Sequence, residues 1–234
     1  MLKKLPKENM GTSNLGWLES RFHFSFAEYR NPENMNFGVL RVLNDDIVHP
    51  NSGFDTHPHS NMEIISYIVK GEITHKDSMG NAETLKSGEV QYLSAGDGIY
   101  HSEKNIHNSK DLRLLQIWII PPEKSLARLY GSKKYTNEER RNKLLNIVSS
   151  QKGNSEIKIY QDVNIYVSQL DELKALDFDI GKNRQVYFVQ IEGSSKINDV
   201  ILEEGDACEI TEELKINIKA LTSSHFLFID MPQE

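Results

Sequence analysis

The chain has 234 residues, enough for two domains of about 100–120 residues each, and its 38% hydrophobic and 26% charged content excludes wholesale disorder. Its net charge is −7, both halves are mildly acidic and no basic block occurs, which argues against a phosphate-driven nucleic-acid interface. No apolar run reaches the ~18–20 residues of a membrane span, no apolar signal core follows the lysines of Met1–Met10, and a single cysteine, Cys208, excludes an internal disulfide, so a cytoplasmic, membrane-free protein is expected.

Short runs of period-two alternation follow one another along the chain. In order they are Val39–Leu43, Glu63–Val69, Val90–Leu93, Leu112–Ile120, Ile157–Tyr160, Asn164–Ser168, Val186–Ile191, Lys215–Ala220 and Phe226–Ile229. Many short strands parted by Gly, Asn, Asp and Pro predict a mainly β fold of sandwich or barrel type. Asp77 to Asn81 reads as a hairpin turn. One helix is predicted: Thr136 and Glu139 have capping-box spacing, and Leu144, Leu145 and Val148 then share a helical face. Leu85–Glu89 and Leu202–Asp206 are similar turns in the two halves, as a duplicated barrel would have. Cys208, flanked by Asp206 and Glu209, reads as a small buried hydrophobe.

Histidine placement carries the chemical information. Seven of the eight lie in the first half, and only His225 lies in the second. Residues two apart on a strand point the same way, so His57 and His59 share a face, with Pro58 facing away between them and marking a strand end or irregular edge. His101 and Glu103 repeat that spacing on another segment. Three imidazoles and a carboxylate suit Fe(II), Mn, Ni, Cu or Zn and leave coordination positions open. Glu63 shares the inward parity of His59 and is a candidate to support the site from behind. His75 and His107 are expected on solvent-facing turns. Trp17, Trp118, Phe24 and Phe26 read as core or pocket wall, and His225 as structural.

These residues lie in stretches that resemble the cupin superfamily. Gly53, His57, His59, Glu63 and Gly71 match its first motif; Gly88, Gly96, Gly98, His101 and Asn105 match its second, with Ser94 where proline is usual. GFDTHPHSNMEIISYIVKGEITHKDSMGN and VQYLSAGDGIYHSE resemble the pirin branch, densely over residues 16–122 and thinly beyond. Phe22-His23 stands where many relatives have His-Thr. The resemblance implies a bicupin of two antiparallel β-barrels: residues 1–122 as the metal-binding barrel, 123–155 as a helical connection, and 156–234 as a degenerate barrel without metal. It also implies His57, His59, His101 and Glu103 as ligands of one divalent transition metal, Fe(II) before Cu, Ni, Mn, Zn or Co.

The implied activity is that of a quercetin 2,3-dioxygenase acting on a flavonol-like substrate and O2 as a monomer, with Glu103 as general base. The other reading implied by the resemblance is a metal-binding redox or regulatory protein acting through protein partners. A cupin isomerase or hydrolase is the third.

Overall fold

A computed structural model describes residues 1–233. The fold is mainly β and divides into two compact units, one of Gly11–Lys134 and one of Met1–Met10 with Tyr135 onwards. The division thus lies after Lys134 rather than after residue 122, and the first ten residues belong with the second unit.

Strand β1 (Leu2–Leu5) opens the chain within the second unit. The first unit then runs β2 (Gly11–Asn14), β3 (Leu18–Phe22), β4 (Leu40–Val48), β5 (Ser52–His59), β6 (Glu63–Lys70), β7 (Glu72–Asp77), β8 (Ala82–Lys86), β9 (Glu89–Ser94), β10 (Ile99–Asn105), β11 (Leu112–Ile119) and β12 (Leu129–Lys134). The second resumes with helix α1 (Asn137–Arg140), then β13 (Leu145–Ser150), β14 (Lys158–Ile159), β15 (Asn164–Leu170), β16 (Ala175–Asp179), β17 (Arg184–Glu192), β18 (Ser195–Ile197), β19 (Val200–Leu202), β20 (Ala207–Ile210), β21 (Lys215–Ala220) and β22 (Ser224–Pro232).

Each unit pairs a seven-stranded with a four-stranded sheet. In the first the orders are β12-β9-β6-β11-β4-β3-β2 and β5-β10-β7-β8. Ile68, Leu112 and Leu114 of the larger sheet pack with Ile73 and Leu85 of the smaller, so the two face each other over one apolar core. In the second unit the orders are β1-β20-β17-β22-β15-β13-β14 and β16-β21-β18-β19, with Phe188, Phe226 and Phe228 packed against Ile197, Ile216 and Ile218. Among the described residues no hydrogen-bonded ring closes either pair of sheets into a barrel. Cys208 is buried in the second core, as expected of a small hydrophobe. No helix is long and apolar enough to cross a membrane.

The helical connection is the main correction. Thr136 does cap a helix, and both bonds of its capping box with Glu139 form, but α1 ends at Arg140. Arg141 is extended and Asn142 turns left-handed at φ 55°. Beyond it, Leu145 and Val148 lie on strand β13, paired to β15. Ile147, Val148 and Ser149 are buried in succession, which a strand covered on both faces permits and an amphipathic helix does not.

His23, beside the end of β3, is 2% exposed. Burial pushes its pKa down to about 4, against the attraction of Asp45. The folded chain therefore holds His23 neutral while the unfolded chain protonates it below about pH 6.5. Its contribution to stability is complete above that value and is lost as the pH falls towards 4. Denaturant titrations should show about 3 kcal/mol of acid destabilisation from this group, absent from His23→Gln. An unchanged acid profile in the variant would refute the assignment.

Candidate metal centre

Strand β5 is the edge of the four-stranded sheet, where Pro58, exposed and without an amide donor, is tolerated. Its neighbour β10 sets His101 opposite His57 and Glu103 opposite Phe54, with an irregularity between the two pairs. Two residues of β5, Asp55 and Thr56, thus stand against one of β10, Ser102, a bulge that re-aims side chains next to a site. Gly53 makes the close approach possible. At φ +144°, a Cβ there would sit 2.3 Å from the Glu103 carbonyl oxygen and 2.7 Å from Lys104 Cα.

This register gathers His57, His59 and His101 into one cluster whose ligand atoms lie within 4.8 Å of one another. Their ring centroids are 4.5–4.9 Å apart. His57 donates from Nδ1 to the Asp55 carbonyl at 2.7 Å, which leaves the lone pair on Nε2. Burial, then the neighbouring imidazoles, push His101 down to about 3; burial and His57 push His59 down to about 4. Both rings are therefore neutral near pH 7, the state a metal needs. Neither nitrogen of buried His101 has a hydrogen-bond partner. Orphaned buried donors and acceptors are costly, and a divalent cation is the partner that fits three converging imidazoles.

Glu103 lies beside this cluster and is 2% exposed. Its Oε2 accepts from Gln116 Nε2 at 2.9 Å, and Ser66 Oγ stands 3.3 Å from Oε1 and 2.7 Å from Gln116 Oε1. Burial raises the carboxyl to about 7, opposed by these two hydrogen bonds. His57, His59 and Glu103 open into a cavity of about 350 Å³ whose aromatic walls include Trp17, Phe22, Phe26, Phe54 and Trp118. Trp118 meets His59 edge to face at 4.8 Å. Such a cavity suits a small, flat, aromatic ligand.

Comparison with known proteins gives the family. The Pirin family model matches residues 5–119, and a model described as the quercetinase C-terminal cupin domain matches 146–231. A pirin-like protein of Caulobacter vibrioides is 38% identical, covering 98% of this chain and 99% of its own. The quercetin 2,3-dioxygenase of Escherichia coli K12 is 37% identical, covering 95% of each. The chain belongs to the pirin family. The crystal structure of the bacterial pirin YhhW from Escherichia coli in complex with nickel(II) superposes on this pirin-family chain with a TM-score of 0.94 at 35% identity, covering all of both.

The sequence-derived residues of this pirin-family chain come together unequally. His57, His59 and His101 form the first group. Glu103 forms a second, with His101 and His75, also within 4.8 Å. Glu63 belongs to neither group; it is fully buried and accepts from the Tyr92 hydroxyl at 2.7 Å.

His75 is the residue sequence reasoning misplaced. It sits on β7 opposite Glu103, buried rather than on a solvent-facing turn. Its Nε2 is 3.2 Å from Asp77 Oδ2 and its ring stacks on Tyr130. Burial lowers its pKa, against Asp77. The signal for it was the parity with buried Ile73, two residues before. His107 does lie on a turn, accepting from the amides of Ser109 and Lys110. His225 is buried in the second unit beside Glu192.

Proposed function

We propose that this chain is a metal-dependent dioxygenase of flavonols such as quercetin, inserting both atoms of O2 as the central ring opens and carbon monoxide leaves. The observation that carries the reading is that His57, His59 and Glu103 line one aromatic-walled cavity. The name of the Escherichia coli relative supports it. The proposed ligands are His57, His59, His101 and Glu103, holding one divalent transition metal, with Fe(II) first in order and nickel, as in the YhhW complex, among the alternatives. Such an ion supplies Lewis acidity and lowers the pKa of a hydroxyl brought to it.

The chain's own residues supply the rest. Trp17, Phe54 and Trp118 offer faces and edges to a planar ring system and keep water from it. Glu103 takes the proton of the flavonol 3-hydroxyl. Its surroundings accommodate both protonation states. As carboxylate it accepts from Gln116 and Ser66; as carboxylic acid it can donate to Ser66 Oγ, whose own proton then goes to Gln116 Oε1 at 2.7 Å. No side chain has to move when the proton arrives.

The test follows loss of the quercetin absorption band and O2 consumption together, with each metal in turn. Both should stop under strict anaerobiosis and after chelation. Bleaching that continues without metal would be autoxidation, and the reading as an enzyme would fall to that of a partner-binding protein.

A further inference from the structure

The wall of the cavity facing the histidines carries polar groups that the proposed chemistry does not use. The histidines stand on the four-stranded sheet; Ser20 on β3 and Asn44 and Asp46 on β4 stand on the seven-stranded one. All three line the same cavity as His57, His59 and Glu103. Ser20 is directly opposite Asp46 across the β3–β4 ladder, and Asn44 is opposite Gln116, the residue that holds Glu103. All three are under 7% exposed. Asn44 Oδ1 is a buried atom without a hydrogen-bond partner, and the Ser20 hydroxyl and the Asp46 carboxyl have no hydrogen-bond partner beyond each other.

The neighbour Asp45 shows that this is not the ordinary condition of an acid on β4. Its side chain points the other way by strand parity, and Arg113 clamps both its oxygens at 2.9 and 2.7 Å. Asp46 has no cation in an equivalent place. Buried polar groups left on one wall with no partner beyond each other are costly to the empty protein. They are repaid when a ligand brings donors to them, and selectivity then follows, because a ligand lacking those donors leaves them unpaired.

We infer that Ser20, Asn44 and Asp46 form a second polar anchor in the cavity, which binds aromatic hydroxyl groups of the substrate on the wall opposite the metal ligands. Asp46 and Asn44 accept from phenolic O–H groups, and Ser20 can donate or accept. The inference rests on the flavonol reading and sharpens it. The preferred substrates are polyhydroxylated, and a flavonol with the 3-hydroxyl alone is a poor ligand. Asp46 is on this account a positioning and specificity-determining residue, not a catalytic one.

The experiment compares anaerobic binding of quercetin and of 3-hydroxyflavone to the Ni(II)-loaded full chain, read by quenching of Trp17 and Trp118 fluorescence. Wild type should bind quercetin at least about tenfold more tightly, the factor expected for one or more well-placed hydrogen bonds. Asp46→Ala and, separately, Asn44→Ala should remove most of that preference while 3-hydroxyflavone affinity and nickel content stay as in wild type. Equal affinities in wild type overturn the inference without recourse to any variant. Loss of both ligands in parallel overturns it too, since that marks a structural role. If wild type binds neither flavonol, it is the flavonol reading that fails. Catechol then decides the anchor by itself: a rise in melting temperature in wild type that Asp46→Ala lacks supports it, and no rise refutes it.

Discussion

Glu103→Gln should lower quercetin turnover by roughly 10²–10⁴-fold while metal content stays near one ion per chain. The substitution keeps the shape and one oxygen of the side chain but removes its charge and its capacity to take a proton. Three imidazoles remain to hold the ion. Gln116 and Ser66 still find a partner, so the cavity wall should not collapse. Quercetin affinity should fall much less than turnover, because the aromatic walls are untouched. Metal analysis and steady-state kinetics on the same preparation separate the outcomes. Loss of the ion would make Glu103 a ligand above all, and retention of both ion and rate would send the proton elsewhere.

Replacing His57 and His59 together by alanine should take the metal from about one ion per chain to near zero and abolish turnover. The double variant removes two of three imidazoles from the first group and leaves His75, His101 and Glu103 as the second. That second group is fully buried, and His75 is already engaged by Asp77, so it should not hold the ion alone. Among the described residues both groups lie in the first unit; the second unit's one histidine, His225, faces Glu192. Elemental analysis giving two ions per wild-type chain would contradict the single site, and a double variant that keeps its ion would move the centre to His75.

The parts of this site that were legible in the sequence were those governed by local geometry. The i, i+2 spacing of His57 with His59, and of His101 with Glu103, projects each pair to one side of its strand wherever that strand goes. What could not be read was register. His75 joins the cluster only because β7 pairs with β10 so that it falls opposite Glu103, and nothing near His75 in the chain encodes that offset. Ser20, Asn44 and Asp46 were silent for the same reason, since their meaning depends on which cavity their strands wall. The helix shows the complementary limit. The capping box fixed where α1 starts, but where it stops was decided by β13 pairing with β15, a tertiary contact that outweighs the local helical spacing.

Strand β1 pairs with β20, so that Lys3 and Glu209, 206 positions apart, form an ion pair. Topologically the first unit is therefore an insertion, lodged between an edge strand and the rest of the sheet that strand completes. During synthesis β1 emerges before β20 and waits while the whole first unit is made before its partner exists, a loop closure among the longest the chain could require. The second unit expressed from Tyr135 alone would lack this border. It would expose the amides and carbonyls of β20 as a bare edge, open to a strand from any other chain.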